Sequence, residues 1–471
     1  MKKIAATGFA AAVLIYAVMH YVTFLVPSHA GERILSVAGI AAVIFAAINL
    51  SLRSFMVPLF LLTTATVVQI TSGGSFLTFL LEGIIQMRSL IALLLIVPVI
   101  GWILREEPYI DSIMNAAHRF LNTSRKFYFG IMLVNQLIAY FLLFGCIPMM
   151  YQFIHAFLRD KKGEAWEYFK GTALLRSFAL TTLWVVSIPS FAFAVDHLDA
   201  SLGWTIIQGM MISLAGIGLA VWFAARKEKQ YGIDYTAGIN SEIDRLVKTN
   251  GQVNHTRKHV LEFATLFVSL FTTIFLLHLI MGWGLLMVIP PVIIVWTCGY
   301  FILKKRTGSL MSQAKQYFGV DMKYKSQQFS LLLAAGMLIY AVNQSGIGNY
   351  LVEGLFYLED TVPFLNFLVI LPFTTILLGF LGLGPLTVIV LVAGILQHVD
   401  MPYPPELVVL SLTSGSVISV LLSPVILPII ILSATNGLSI LKNGFRFNLG
   451  YSIVFYFMVQ AYIQFMWYVV Y

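Results

Sequence analysis

Hydrophobic positions along the chain fall into long runs that are separated by short polar or charged loops. A helix needs about 20 apolar residues to cross a bilayer, and eleven runs come close to that length. The run from Ala5 to Val26 resembles a signal peptide but is long enough to span, which favours an uncleaved first helix. The pattern predicts an all-α polytopic membrane protein. The predicted spans are 7–27, 33–51, 55–72, 75–104, 177–198, 203–224, 260–281, 283–303, 328–343, 404–435 and 447–470.

A further apolar segment, 128–150, contains a tight turn at Gly145-Cys146-Ile147-Pro148. Lysine and arginine are concentrated in the loops on both sides of it, 105–127 and 151–176. The positive-inside rule puts both loops, together with the lysines at the N-terminus, in the cytoplasm. The segment is therefore predicted to dip into the membrane and return as a re-entrant hairpin.

A second such segment, 363–397, turns at Gly379 to Pro385 and has acidic residues on either side, so it is predicted to enter from outside. Each hairpin precedes a span that a proline interrupts, at Ser187-Ile188-Pro189 and at Ser423-Pro424. The interval from Pro148 to Pro189 is 41 residues, and from Pro385 to Pro424 it is 39. This near-equality indicates an inverted internal repeat, with the N-terminus cytoplasmic and the C-terminus outside.

The repeat predicts an organisation in four parts. Residues 1–30 form an extra N-terminal span, 31–225 the first repeat, 226–259 a basic cytoplasmic linker, and 260–471 the second, inverted repeat. A short amphipathic segment before each hairpin is expected to lie in the membrane interface. Its apolar positions are Ile110, Ile113, Met114, Ala117 and Leu121 in one repeat and Ile347, Leu351, Leu355 and Leu358 in the other.

Composition excludes several classes of protein. With 59% hydrophobic and 11% charged residues and a mean hydropathy of +0.87, the chain has more apolar surface than one soluble core could bury. The net charge of +8 comes from loop residues that set orientation, so no nucleic-acid partner is expected. Neither a nucleotide-binding motif nor a hydrolase motif is present, which argues against ATP coupling and against an enzyme. Cys146 and Cys298 lie in apolar spans without metal-ligand spacing.

The chemistry that the two breaks could perform is the binding of a small solute at the midplane. Half-helices that begin after the breaks would present backbone N–H donors and positive dipole ends to an anion. Hydroxyls near the breaks could bind an oxyanion or a small cation, and Arg176 could steer an anion towards them. Ordinary proline kinks and small-residue helix contacts are the alternative explanation. The candidate substrate-binding residues are Gly145, Pro148, Thr182, Ser187, Pro189, Ser190, Gly382, Gly384, Pro385, Thr413, Ser414, Gly415, Ser416, Ser419, Ser423 and Pro424.

With its hairpin turns and its SIP and LSP breaks, the chain resembles the ion-transporter superfamily of secondary carriers, which includes divalent-anion, citrate, dicarboxylate and gluconate permeases. The hairpin tips lack the Ser-Asn-Thr-type motif of the carboxylate carriers. The resemblance implies alternating-access transport of an organic anion or similar polar solute across the cytoplasmic membrane, driven by Na+ or H+. It also implies a homodimer, and because the residues show no fixed metal-ligand spacing, no cofactor or metal site is expected. A non-transporting membrane protein of the same fold, such as a sensor or an assembly factor, is the alternative.

Overall fold

The computed structural model describes residues 2–109, 112–113, 123–158, 161–249, 256–362 and 366–471, and in these ranges all regular secondary structure is helical. In the N-terminal half the helices are α1 (Lys2–Leu25), α2 (His29–Asn49), α3 (Leu52–Thr71), α4 (Phe76–Gly83), α5 (Arg88–Ile96), α6 (Gly101–Leu104), α7 (Ser124–Leu142), α8 (Cys146–Phe157), α9 (Glu164–Thr181), α10 (Pro189–His197), α11 (Leu202–Tyr231) and α12 (Tyr235–Thr249). In the C-terminal half they are α13 (Thr256–Met281), α14 (Leu285–Leu303), α15 (Thr307–Gly319), α16 (Ser326–Ser345), α17 (Ile347–Thr361), α18 (Phe367–Phe380), α19 (Gly384–Leu396), α20 (Pro405–Leu422), α21 (Leu427–Asn436) and α22 (Phe447–Phe465).

Ten helical segments within the described ranges are long and apolar enough to cross a membrane, and nine of them coincide with predicted spans. The tenth, Ser124–Phe157, covers the segment for which the charges predict a hairpin. Two of the eleven predicted spans are not among the ten. The span 177–198 is not one continuous helix, because α9 ends at Thr181 and α10 begins at Pro189. The span 328–343 lies within the largely buried helix α16.

The segment Ser124–Phe157 reverses direction at its centre. Leu143 has a positive φ of 48° between α7 and α8. The ring of Phe127, in the first turn of α7, stacks on that of Phe157, the last residue of α8, with centroids 5.2 Å apart. A straight helix would separate these residues by roughly 45 Å. The two helices are therefore the arms of a helical hairpin.

The second hairpin consists of α18 and α19. Its turn contains Gly382 and Gly384 with φ of 92° and 73°, a backbone conformation that glycine adopts readily. Phe367 at the start of α18 stacks on Tyr403, which follows α19, with centroids 5.8 Å apart. Both halves of the chain thus contain a helical hairpin at the predicted position.

The interrupted helices α9 and α20 lie at the centre of the molecule. Helix α9 packs against α7, α8 and α11, and α20 packs against α18, α19 and α22. Each short helix after a break crosses to the other half, where α10 contacts α19 and α21 contacts α8. Every residue of α20 from Leu407 to Leu422 is buried. Two hairpins and two breaks therefore form one packed cluster.

Two segments that the charges predicted to be loops are largely helical. The loop 151–176 is mostly helix, because α8 extends to Phe157 and α9 starts at Glu164. Most of the linker 226–259 is also helical, in the end of α11 and in α12. The amphipathic positions Ile110, Met114, Ala117 and Leu121 lie outside the described residues, as do the side chains of Leu351, Leu355 and Leu358. These last residues belong to α17, so a helix does precede the second hairpin.

Candidate functional site

The first break extends over residues 182–188, between α9 and α10. Pro189 is the first residue of α10, where its missing N–H leaves no hydrogen bond unmade. The buried hydroxyl of Ser187 donates to the carbonyl oxygen of Tyr140, near the end of α7, at 2.6 Å. The Ser187-Ile188-Pro189 motif therefore ties the interrupted helix to the first hairpin.

The second break differs from the sequence prediction in where its half-helix begins. Ser423 is extended and Pro424 lies in a turn, and α21 starts only at Leu427 with Pro428 in its first turn. Pro428 rather than Pro424 thus initiates the second half-helix. The hydroxyl of Ser423 donates to the carbonyl oxygen of Gly379, near the end of α18, at 3.1 Å.

A glycine of the following helix approaches the carbonyl end of each interrupted helix. A Cβ atom at Gly209 in α11 would overlap the carbonyl oxygen of Leu183. A Cβ atom at Gly444, just before α22, would lie 3.4 Å from the carbonyl oxygens of Leu421 and Leu422. Glycine lets the two backbones meet at both breaks, although sequence reasoning did not select either residue.

Several candidate hydroxyls are satisfied by their own helix. Thr413 donates to the carbonyl oxygen of Val409 at 2.8 Å, and Ser414 donates to that of Ser411 at 2.7 Å. Thr182 donates in the same way to the carbonyl oxygen of Ala179 at 2.8 Å. These three groups are buried and would have to give up a backbone hydrogen bond to donate to a solute, although their oxygens can still accept.

Other hydroxyls near the second break have no hydrogen-bond partner among the described residues. They are Ser416 and Ser419 of α20 and Thr375 of α18, and all three are fully buried. A Cβ atom at Gly415 would clash with the backbone of Pro372, and one at Gly379 would meet Ser419 Oγ, so α18 and α20 are in close contact here. Since a buried hydroxyl without a partner costs free energy, this group points to a ligand.

Pro372 explains a further set of contacts around α18. Because proline has no N–H, the carbonyl oxygen of Leu368 loses its helical donor. Ser411 supplies a hydroxyl to that oxygen at 2.6 Å, and Gln460 supplies an amide at 3.1 Å. The proline in the second hairpin is thus compensated from α20 and α22.

The hairpin tips are more accessible than the breaks. Gly145 and Gly382 are exposed, while Pro148, Gly384 and Pro385 are half-buried. Pro424 is also half-buried, whereas Ser187, Pro189, Ser190 and Ser423 are buried. The structure brings the predicted residues into one region but buries most of the polar ones.

Arg176 is completely buried in the middle of α9. Its Nε donates to Asn448 Oδ1 at 2.8 Å, and its Nη2 donates to the carbonyl oxygen of Phe447 at 2.8 Å. The ring of Tyr451 lies 4.5 Å from its Cζ, which is a cation–π contact. The guanidinium therefore joins α9 to the first turn of α22, and anion steering by Arg176 remains a prediction.

Sequence reasoning also missed two amides in α7. Asn135 donates to Ser177 Oγ at 2.7 Å, and its Oδ1 has no partner within the described chain. Gln136 donates to Ser213 Oγ at 2.8 Å. An Asn-Gln pair in the middle of an apolar segment is the signal that could have identified them.

Comparison of the chain with models of known protein families found no match, and no curated protein matches it. The resemblance to the ion-transporter superfamily therefore stays a prediction.

The described residues contain no group of three or more His, Cys, Asp or Glu side chains that could hold a metal ion.

Proposed function

We propose that the chain is a secondary transporter of the ion-transporter superfamily type. Two inverted repeats each contribute a re-entrant hairpin and an interrupted helix to one solute site. The solute is an organic anion or a similar small polar molecule, moved by alternating access with a Na+ or H+ gradient.

The observation that carries this proposal is the correspondence between the two breaks. Ser187 binds the end of the first hairpin arm through Tyr140, and Ser423 binds the end of the second through Gly379. The serines are 236 residues apart and the acceptors 239. The glycines facing the carbonyl ends, Gly209 and Gly444, are 235 apart. Corresponding contacts whose residues are 235 to 239 positions apart support a duplicated unit rather than two unrelated proline kinks.

Loop contacts support the predicted sidedness. Arg306 pairs with Glu106 at 3.2 Å, and both lie in loops predicted to be cytoplasmic. Ser201 N donates to Glu406 at 2.9 Å, and both lie in loops predicted to be outside. Each proposed repeat crosses the membrane five times, with three spans, one interrupted helix and a final span. Because five is an odd number, the next repeat starts from the opposite face and is inverted.

The chemistry of the site favours a polar solute. The buried unpartnered hydroxyls Thr375, Ser416 and Ser419 provide donors and acceptors beside the second break. The N-termini of α10 and α21 provide partial positive charge beside the two breaks. These features suit an anion whose oxygens replace missing hydrogen-bond partners.

The re-entrant path is tested with cysteines at the exposed ends of the first hairpin. Arg125→Cys and Lys162→Cys, in a Cys146→Ser/Cys298→Ser background, are treated with a membrane-impermeant maleimide in right-side-out and inside-out vesicles. We expect both to react only from the cytoplasmic face, with Ser201→Cys as the control for the outer face. Reaction of Arg125→Cys and Lys162→Cys from opposite faces would refute the hairpin and the inverted repeat.

Transport itself is tested in proteoliposomes with a panel of radiolabelled organic acids and an imposed Na+ or H+ gradient. We expect uptake of at least one acid and its loss in Ser423→Ala or Pro424→Ala, while membrane insertion remains normal. Thr63→Ala is the matched control, because this exposed residue donates its hydroxyl to the carbonyl of Phe60 in its own helix. Absence of uptake for the whole panel would favour the non-transporting alternative.

A further inference from the structure

An ion pair within α9, between Lys170 and Glu167, is contacted by the second arm of the first hairpin, away from the two breaks. The side chain of Lys170 in α9 has no exposed surface, and its Nζ lies 2.5 Å from Glu167 Oε1, about one turn away. Tyr151 of α8 donates its hydroxyl to Glu167 Oε2 at 2.6 Å. Each carboxylate oxygen of Glu167 thereby has one partner. Sequence reasoning treated Lys170 only as a loop charge.

His155 of α8 completes this cluster. Its Nδ1 lies 3.4 Å from Lys170 Nζ, and its ring stacks on Tyr151 with centroids 5.7 Å apart. An ammonium group can only donate hydrogen bonds, so Nδ1 must accept with its lone pair. A hydrogen bond between the two groups thus has Nδ1 of an imidazole that is neutral as its acceptor. His155 is exposed and lies two residues before the end of α8, in the arm end that the charges predict to be cytoplasmic, so we expect a proton to reach it from that face.

Protonation would turn this contact from attraction to repulsion. Both His155 nitrogens would become donors, and two positive charges would face each other across 3.4 Å. Lys170 cannot move away into water, because it is enclosed and held by Glu167. Histidine is the side chain whose charge ordinarily changes between about pH 5 and 8.

We infer that His155 is a proton-binding site whose protonation detaches α8, the second arm of the first hairpin, from α9. The ligand is a proton, and the result is a hairpin whose packing depends on pH. A proton gradient can act on the transporter at this histidine. The relevance of the site to transport rests on the proposed function.

The surroundings of His155 are consistent with this role. Its own helix contributes Tyr151, and α9 contributes Lys170 and Glu167. Helix α21, which also packs against α8, carries no ionisable side chain. Helix α7 contributes Arg125 and Lys126 in its first turn and Tyr128 and Tyr140 further along, so it offers no carboxylate to a protonated imidazole.

Two other histidines provide a contrast. Nδ1 of His197 lies 3.1 Å from the carbonyl oxygen of Phe193, and Nδ1 of His278 lies 2.7 Å from that of Trp283. A carbonyl accepts from a neutral or a charged imidazole alike. Protonation would preserve both of these contacts, and His278 therefore serves as a matched control.

Cys146, the first residue of α8, is a natural reporter because it is fully buried. In a Cys298→Ser background, the rate of its modification by N-ethylmaleimide is measured on the purified full chain in detergent. Rates are compared between this parent and the same chain with His155→Gln, whose amide oxygen accepts from Lys170 but cannot be protonated. Both rates are measured at the same pH, so the effect of pH on the reactivity of the thiol cancels in their ratio.

The labelling rate of Cys146 in the parent is divided by its rate in His155→Gln. We expect this quotient to be near one at about pH 8 and to rise roughly tenfold at about pH 5. The ratio of the parent to His278→Gln should stay near one at both values. His155→Arg, which is permanently charged, should label fast at both. A parent to His155→Gln ratio that does not change with pH would overturn the inference. No transported solute is involved, so a failure here is distinct from a failure of the uptake experiment.

Discussion

The two interrupted helices occupy corresponding places in the two halves, yet different interactions hold them. Helix α9 contains the buried cations Lys170 and Arg176 and accepts amide hydrogen bonds from Asn135. Helix α20 has no charged side chain from Leu407 to Leu422. Its contacts are hydroxyl groups bonded to backbone carbonyls and close packing at glycine. One architecture is thus stabilised by charge in one half and by small residues in the other.

This difference indicates which half is built to respond to a charged species. A buried cation needs specific partners, and a change in the charge of any partner alters the contact strongly. A small-residue interface depends on shape and is insensitive to pH. We therefore expect pH to act mainly on the first half, and solute binding to depend on the unpartnered hydroxyls of the second.

The largest effect is expected where a glycine touches backbone. Gly209→Ala should destabilise the protein by about 3 kcal/mol, since overpacking against a backbone carbonyl cannot be relieved by a rotamer change. Gly444→Ala should cost less than about 1 kcal/mol, because its nearest contacts are 3.2 Å or longer. Denaturation of the purified chain in detergent measures both. Gly218→Ala is the control, with no heavy atom within 4 Å of its Cβ position, and equal losses at Gly209 and Gly444 would show that the two glycines are packed equally tightly against the breaks.

A smaller effect is expected at the buried cation of the first half. Arg176→Met keeps much of the apolar volume but removes the donors that Arg176 supplies to Asn448 Oδ1 and to the carbonyl oxygen of Phe447, at a cost of about 2 kcal/mol. Thr413→Val in the second half removes only a hydrogen bond within its own helix and should change stability little. The same denaturation assay compares them. Similar losses from the two substitutions would mean that charge is not what distinguishes the halves.

The smallest effect is expected at the compensated proline. Ser411→Ala should cost less than about 1 kcal/mol, because Gln460 still donates to the carbonyl of Leu368. Ser411→Ala combined with Gln460→Leu should cost clearly more than the two single changes together, since only then is the buried carbonyl left without a donor. A double-mutant cycle measures this coupling, and simple additivity would argue against shared compensation.

Much of the fold could be predicted from local patterns. The length of each apolar run identified nine of the ten candidate spans, and the Gly145 and Gly382 turns marked both hairpins. The prediction was less accurate at the second break, because Pro424 and Pro428 are both compatible with the start of a helix. Only the hydrogen bond of Ser423 to the hairpin decides that Pro424 lies in the turn.

The sequence by itself determined that this chain is helical and membrane-spanning, and where its helices are interrupted. Hydropathy and the missing N–H of proline act over a few residues, so they can be recognised without a structure. Tertiary structure alone decided that Thr413 bonds to its own helix while Ser419 has no partner among the described residues, and that Arg176 meets Asn448 from the other half. Those outcomes depend on which residue faces each side chain across a helix interface, and distance along the chain carries no information about that.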